Sequence, residues 1–208
     1  GIRTDDAHDR RKAEVPLEIG RTGLGSPTMN IFVGTNVLFV GTINEDETTA
    51  MVLLGDTPYI DTTNLTIQRA RYRIFVAVPA FAKLVSHTPL YSTWDDHDFG
   101  RNDTDGNLEG KENSRQAFSE YRPNPTVGEN EEGIYTSFSQ GLVEVFLLDT
   151  RWFAGTESNN GVPTLLGNQQ WAWLEKSLRA STSPYKVLAC GIVFNSAVRP
   201  LKKDYWGA

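Results

Sequence analysis

The sequence has little cysteine, methionine and histidine: one, two and three of them among 208 residues. A single cysteine, Cys190, excludes an intrachain disulfide and a metal site made of paired cysteines. Because Cys190 lies in an apolar run, we predict a buried structural thiol. The sequence has no run of 18 apolar residues, so we expect no transmembrane helix, and its first residues lack the pattern of a signal peptide.

Positive charge is also scarce, because 20 lysines and arginines face 26 acidic residues and the formal net charge is −6. An acidic chain is repelled by the nucleic-acid backbone, and we expect no nucleic-acid partner. An anionic substrate would need a local positive centre, which a metal ion bound by acidic side chains supplies. The length and the hydrophobic fraction of 39% are typical of one globular domain with a sizeable core.

Several catalytic motifs are missing from the sequence. There is no nucleophile elbow and no phosphate-cradling P-loop. Neither Thr35 nor Ser92 has a histidine at a suitable spacing, which disfavours serine hydrolase chemistry. The remaining source of chemistry is a set of acidic residues and one histidine in two loops.

Strand-like and helix-like segments alternate along the chain, which predicts an α/β fold with a layered mixed sheet flanked by helices. We predict a flexible or irregular N-terminal arm over residues 1–25 and the domain itself over 26–208. Helices are predicted at 64–85 (broken near Pro79), 113–121 and 168–180, the last burying a face with Trp171, Leu174 and Leu178. Strands are predicted at 31–41 (one strand or a short pair), 50–54, 89–94, 135–139, 142–148 and 186–194.

Acidic residues follow two of the predicted strands directly. Asp56 comes after the apolar run 50–54, and the run 95–98 (Asp-Asp-His-Asp) comes after 89–94. The carboxyl end of a strand is where open α/β sheets place their ligands. Adjacent carboxylates repel one another unless a cation or solvent separates them, and oxygen and imidazole ligands suit manganese, iron, zinc or calcium. We therefore predict a metal site here, with a solvated acidic turn as the alternative.

Other candidates are less specific. Arg151 follows a strand and could hold a phosphate oxygen or make an internal salt bridge. Residues 101–112 resemble a calcium loop, but Arg101 occupies the first ligand position, so a plain Asx turn is favoured. His87 is placed as a helix cap and His8 receives no role. Three aromatic side chains could flank a substrate or belong to the core: Tyr91, Trp94 and Phe99.

Four motifs, in order between Ala50 and Phe194, carry a resemblance to a known family. Residues 53–61 resemble a Gly-Asp-x-x-Tyr motif, and 93–100 followed by Asn102 are similar to a Trp-Asp-Asp-His motif. Residues 147–151 are similar to a Leu-Asp-x-Arg strand end, and 165–174 to a Leu-Gly-x-x-Gln helix start. Together they resemble the PhoD-like (alkaline phosphatase D) branch of the calcineurin-like metallophosphoesterases.

The resemblance implies a metallophosphoesterase-like, partial four-layer sandwich with a dinuclear metal centre between sheet ends. It makes Asp56 the aspartate that bridges two metal ions and Tyr59 a phenolate ligand. Asp96 stands where the superfamily has a metal-binding asparagine, and we include it among both the ligands and the catalytic residues. His97 matches the histidine that contacts the scissile phosphoryl group and helps the leaving oxygen.

The function implied is metal-dependent hydrolysis of phosphodiesters or phosphomonoesters. We assign substrate binding to Arg151 and Asn102, and expect a phosphate-ester small molecule or polymer as substrate. Two metal ions are expected, from among calcium, iron, manganese and zinc. The resemblance favours a secreted or periplasmic location.

The sequence also departs from the family pattern. Nothing before Asp56 matches the family's first ligand motif, and no late Gly-Asp-x-His segment occurs. We therefore expect a fragment of a longer protein or a degenerate member, with weak metal binding and little turnover in isolation. The alternatives are a non-catalytic calcium-binding or interaction module and a structural domain with an acidic surface loop. Substituting Asp96→Asn separates the three hypotheses. An enzyme should lose turnover, a calcium-binding module should lose its stabilisation by calcium, and a structural domain should change little.

Overall fold

The computed structural model describes residues 15–18, 29–34, 37–42, 48–193 and 206, with side chains from residue 50 onward. The helices are α1 (Leu65–Val76), α2 (Pro79–Val85), α3 (Asp96–Phe99), α4 (Lys111–Tyr121) and α5 (Gly167–Ala180). The strands are β1 (Val15–Glu18), β2 (Met29–Gly34), β3 (Val37–Thr42), β4 (Thr48–Leu54), β5 (Leu90–Thr93), β6 (Thr136–Gln140), β7 (Val143–Leu147), β8 (Ser158–Asn159), β9 (Val162–Pro163) and β10 (Tyr185–Ala189).

The larger sheet has the strand order β1-β2-β3-β4-β5. Its first four strands are antiparallel neighbours, whereas β4 and β5 run parallel because α1 and α2 form the crossover between them. The register pairs Leu54 with Thr93 at the carboxyl ends of β4 and β5. The two acidic loops therefore leave the sheet side by side.

A smaller sheet, with the order β10-β7-β6, packs against the larger one. In this sheet β6 and β7 form the predicted hairpin and β10 runs parallel to β7. The core between the sheets contains Ala50 and Val52 from β4 and, from the other sheet, Phe138, Val143, Val145, Leu147 and Ala189. Each large apolar side chain buried in this way contributes about 2 kcal/mol to folding.

Helix α5 covers the outer face of the smaller sheet. Leu174 lies in a buried cluster with Phe146, Leu148, Leu166 and Cys190. The prediction for Cys190 is confirmed, since the thiol is buried and burial raises its pKa to about 12.

The prediction that Trp171 faces the core is wrong, because its side chain is 57% exposed. The preceding residue, Gln170, takes the buried position and is fully covered. Gln170 accepts a hydrogen bond from the amide of Asp149 and donates one to the carbonyl of the same residue. The buried polar side chain is therefore fully hydrogen-bonded to the backbone.

The aromatic residues near the acidic loops belong to the core. Trp94 and Phe99 are fully buried and pack with Phe118, while Tyr91 stacks on Phe138 with ring centroids 3.5 Å apart. This confirms the core alternative for these side chains rather than a substrate wall.

The predicted order of helices and strands is confirmed, with four local differences. One is the short hairpin of β8 and β9, which lies where no strand was predicted. Strand β1 lies within the segment expected to be irregular, so that expectation is wrong for those four residues; the division at residue 25 stays a prediction. The last strand ends at Ala189 rather than extending further, and Gly191 then lies against the backbone of Trp94 with no room for a side chain. The acidic run 95–98 overlaps the short helix α3, which has too few residues to show periodicity.

Pro79 separates α1 from α2 as predicted, and Asn64 caps α1 by accepting a hydrogen bond from the amide of Ile67. Within the described part of the chain, no helix has both the length and the apolar character needed to cross a membrane.

Candidate metal centre

The first loop turns sharply at the end of β4. Gly55 and Asp56 both have positive φ values, +95° and +55°, a conformation that glycine and aspartate tolerate best. A side chain on Gly55 would lie 2.4 Å from the amide nitrogen of Asp95. Glycine is therefore required for the first loop to approach the second.

The second loop is held by its own carboxylates. The amide of Asp95 donates to Oδ1 of Asp98 at 2.6 Å, which closes the start of α3. Asp98 is 2% exposed and is used in this cap, so the structure leaves the metal-facing positions to Asp95 and Asp96.

Three carboxylates meet where the loops converge. One oxygen each from Asp56, Asp95 and Asp96 lie within 4.8 Å of one another. Asp96 is 1% exposed, and its Oδ2 accepts a hydrogen bond from the amide of Asp103 at 2.7 Å. Asp56 Oδ2 accepts from the hydroxyl of Tyr59 at 3.1 Å.

One oxygen in this cluster has no hydrogen-bond partner: Asp56 Oδ1, which is buried. A buried unpaired carboxylate oxygen is costly, and more so beside two other carboxylates. A divalent cation would satisfy this oxygen and neutralise the repulsion. The donor set therefore fits a metal ion with oxygen ligands. Of the predicted ligands, Asp56 and Asp96 belong to the cluster and Tyr59 is hydrogen-bonded to Asp56; their roles as ligands stay a prediction.

The electrostatics of the cluster point the same way. The pKa of Asp56 is raised by burial and then by the charge of Asp96. Burial raises the pKa of Asp95 to about 6, although the Arg151 guanidinium opposes the shift. Burial also raises the pKa of Asp98 well above its ordinary range. Without a cation, the site disfavours its own negative charge.

A pH dependence of stability follows from Asp95. Its folded-state pKa of about 6 lies above the ordinary value of about 3.9, so folding favours the protonated carboxyl. This contribution is complete at low pH and is lost as the pH rises from about 4 to about 6. Acidifying the chelated chain from pH 7.5 to 5 should therefore add about 1 kcal/mol from this group. Thermal melts at both pH values check this against Asp95→Asn, and an equal pH dependence in the variant contradicts it.

His97 is oriented by a residue that the sequence did not single out. Its Nδ1 is 2.6 Å from Oδ1 of Asp61, and its ring stacks on Tyr59 at 4.0 Å between centroids. The amides of Ile60 and Asp61 both donate to the carbonyl of His97. With Nδ1 bonded to Asp61, Nε2 faces the cluster, 4.0 Å from Asp96 Oδ1. The only sequence signal for Asp61 was its place in the first loop.

Arg151 lies in an internal ion pair. It is 3% exposed, donates to Asp95 Oδ1 from Nε at 2.8 Å and from Nη2, and donates from Nη1 to the carbonyl of Thr104 at 3.1 Å. This is the alternative that the sequence left open, and a role in substrate binding stays a prediction. Asn102, the other predicted substrate residue, is exposed and donates to Asp103. Its role also stays a prediction.

Asp149 organises the backbone behind this ion pair. Its Oδ1 accepts from Trp94 Nε1 and from the amides of Arg151 and Trp152, and its Oδ2 accepts from the amide of Ile134. All four bonds are 2.7 to 3.0 Å long. Asp149 is fully buried, and burial raises its pKa. Asp149, the aspartate of the third sequence motif, thus has a structural role: it joins four hydrogen-bond donors through one buried carboxylate, and we call it a hub for this reason.

The calcium-loop hypothesis for residues 101–112 is not supported. Asp105 Oδ1 accepts from the amide of Asn107 at 3.0 Å, the pattern of an Asx turn. Lys111 Nζ donates to the carbonyls of Gly106 and Trp152. A bound cation would compete with this ammonium group, and the plain turn is the better interpretation.

A polar cavity of about 660 Å³ lies beside the two loops. Thr62, which follows Asp61 directly, and Arg101, which follows α3, both line it. The other lining residues are four with hydroxyl or amide side chains, two glycines, Glu109 and Leu108.

The two facing sheets, the flanking helices and the acidic cluster at strand ends define a metallophosphoesterase-like α/β fold. Residues 37–206 match the family model described as PhoD-like phosphatase, and the chain belongs to that family. It is also similar to a solved structure titled "Structure of PhoD", with 23% sequence identity and a TM-score of 0.56. That likeness supports the fold, and it covers 69% of this chain and 36% of the other. No curated protein matches the chain.

Proposed function

We propose that this chain carries a metal-dependent phosphoester hydrolase centre built from its two acidic loops. The observation that carries the proposal is the convergence of Asp56, Asp95 and Asp96, with one buried oxygen of Asp56 lacking a partner. Membership of a phosphatase family supports the reaction class. The activity of this chain, its substrate and its metal ions are parts of the proposal.

In the proposed site, Asp56, Asp96 and Tyr59 would be metal ligands. The number of metal ions that the family resemblance implies is two. Asp56 is suited to a bridging position because one of its oxygens is unpartnered and the other binds the Tyr59 hydroxyl. Asp95, which belongs to the predicted acidic run but was given no ligand role there, is a further candidate ligand, and Arg151 fixes its orientation. Bound metal ions would clamp a phosphate, activate water and stabilise charge on the reacting oxygens.

His97 would act on the leaving oxygen of the substrate. Asp61 fixes the imidazole through Nδ1, and stacking on Tyr59 restricts its rotation, so Nε2 is directed at the cluster. A histidine placed in this way can transfer a proton to an oxygen next to a metal-bound phosphoryl group.

The substrate class that we propose is a phosphate ester of a small molecule or polymer with a polar organic group. Support comes from the hydroxyl, amide and guanidinium groups that line the neighbouring cavity. A phosphodiester and a phosphomonoester are both compatible with this arrangement. The predicted location outside the cytoplasm rests on the family resemblance.

The direct test is hydrolysis of a nitrophenyl phosphodiester and the matching phosphomonoester with added manganese, calcium, zinc or iron. We expect metal-dependent hydrolysis slower than about 10 per second, a typical enzyme rate, because the described residues gather few ligands. A chelator should abolish it. Metal binding without any hydrolysis would contradict the proposal and favour the non-catalytic calcium-binding or interaction module.

Replacing His97 with glutamine separates catalysis from metal binding. We expect turnover to fall by about 10² to 10⁴, because general acid–base catalysis contributes an effect of that size. Metal affinity should stay within a factor of about three, since the carboxylates remain. Steady-state kinetics and metal titration of the same preparation measure both quantities. As a control, His87→Gln changes an exposed histidine just past α2 and should alter neither.

A further inference from the structure

A three-residue segment after α4 contacts the first metal loop, at Thr57, and the strand that leads into the second, at Ser92. Arg122 follows the last residue of α4, and its amide donates to the carbonyl of Phe118 at 2.9 Å. Pro123 comes next, with its fixed backbone angle, and then Asn124. We call residues 122–124 the α4 clamp.

Arg122 holds the first loop. Its Nη2 donates to the carbonyl oxygen of Thr57, the residue directly after Asp56. The guanidinium is confined between aromatic side chains, 5.1 Å from the ring centroids of Tyr72 and Phe75. Arg122 is only 3% exposed, and its Nη1 is buried without a hydrogen-bond partner. The two aromatic rings and the Thr57 carbonyl therefore supply the contacts that hold the guanidinium.

Asn124 holds the second loop through β5. Its Oδ1 accepts from the amide of Ser92 at 2.9 Å, and its Nδ2 donates to the carbonyl of the same residue at 2.8 Å. This pair of bonds imitates the pairing of a neighbouring strand. Ser92 lies three residues before Asp95, on the strand that leads directly into the second loop.

We propose that the α4 clamp is a positioning element that sets the separation of the two metal loops. Arg122 and Asn124 would act through the backbone of Thr57 and Ser92, without touching metal or substrate. Their effect on the metal ligands rests on the proposed function, whereas their effect on how often the two loops open does not. A merely structural role would lower global stability without a selective effect on the loops.

The α4 helix supplies a matched control. Arg115 is partly buried and also donates to backbone carbonyls, those of Gly133 and Val127 at 2.8 and 2.7 Å. These carbonyls belong to neither metal loop. Arg115→Met removes the same kind of contact as Arg122→Met, from the helix that the clamp follows, but away from the proposed site.

The experiment measures amide hydrogen exchange of the metal-free chain in peptides covering 55–61 and 94–100. These loops contain bonded amides, including those of Ile60, Asp61 and Phe99, whose protection reports loop opening. We expect Arg122→Met and Asn124→Ala to speed exchange in both loops by about tenfold or more. Arg115→Met should leave them within about twofold. Arg122→Lys, which retains the charge but not the fork of donors, should give an intermediate rate.

Manganese titration of the same variants forms the second arm. We expect affinity to fall about tenfold in Arg122→Met and Asn124→Ala, as for other groups that orient metal ligands, and to be unchanged in Arg115→Met. The proposal is overturned if the two loops exchange at the wild-type rate in both Arg122→Met and Asn124→Ala. It is also overturned if Arg115→Met speeds loop exchange as much as these variants do. If Arg122→Met does not fold, the exchange rates and manganese affinities of Asn124→Ala and Arg122→Lys decide whether the clamp positions the loops. If the wild-type chain binds no manganese, the proposed function fails and the exchange arm still decides the clamp.

Discussion

Replacing Asp56 with asparagine should stabilise the metal-free chain and at the same time weaken metal binding by about 100-fold or more. The stabilisation arises because the substitution removes one of three negative charges within 4.8 Å of one another. At that separation, each repulsive pair costs about 1 kcal/mol even at the dielectric constant of water. Asp56 takes part in two of the three pairs, and at about 2–4 °C per kcal/mol for a chain of this size the melting midpoint should rise by about 4–8 °C.

The loss of affinity has the same origin. The charges that repel one another in the metal-free chain are those that attract a cation, and asparagine retains an oxygen but no charge. Metal-induced stabilisation should therefore nearly disappear in Asp56→Asn. Thermal melts with chelator and with increasing metal measure both effects.

Asp105→Asn is a suitable control for this prediction, because Asp105 is an exposed aspartate in an Asx turn outside the cluster. It should leave the melting midpoint and the metal affinity unchanged. A lower midpoint for Asp56→Asn in chelator, together with unchanged metal affinity, would show that Asp56 has a structural role instead.

Among the substitutions considered, Asp149→Asn should lower the free energy of unfolding most, by about 3 kcal/mol. This corresponds to a fall of roughly 10 °C in the melting midpoint. Asp149 accepts four hydrogen bonds while fully buried. In asparagine, one of the two oxygens becomes a donor, which must then face either the amide of Ile134 or the donors at Oδ1. At least one buried donor is left unpaired whichever way the amide is turned.

Denaturant unfolding of Asp149→Asn gives the free energy of unfolding directly. The same Asp105→Asn variant serves as the control for a change of aspartate to asparagine at the surface. A loss of less than about 1 kcal/mol for Asp149→Asn would contradict the assignment of this residue as a hub, because a single unpaired buried donor already costs that much.

The elements that could be predicted from the sequence are those with a local signature. The apolar run of β4, the hairpin of β6 and β7 and the amphipathic α5 each contain their own pattern. The position of the acidic loops was predictable too, because each follows a strand and parallel strands bring their carboxyl ends together. Helix α3 was missed because four residues are too few for a periodic pattern.

The contacts that orient the site were not predictable, because they join residues distant in the chain. Asp61 is 36 residues from His97, and Arg151 is 56 from Asp95. Nothing in the local sequence distinguished the alternatives for Arg151, and its ion pair became clear only from the fold. Gln170 shows the same limit, since helical periodicity placed Trp171 inward when the backbone of Asp149 required the neighbouring amide.

Equilibrium metal binding to the unmodified chain, with thermal melts in metal and in chelator, shows whether the two acidic loops form a metal centre. We expect at least one metal ion per chain, and a melting midpoint that rises with metal concentration and falls on chelation. The increase should be absent in Asp56→Asn. A chain that binds no metal ion, and melts at the same temperature with and without chelator, would contradict a metal centre at the two acidic loops.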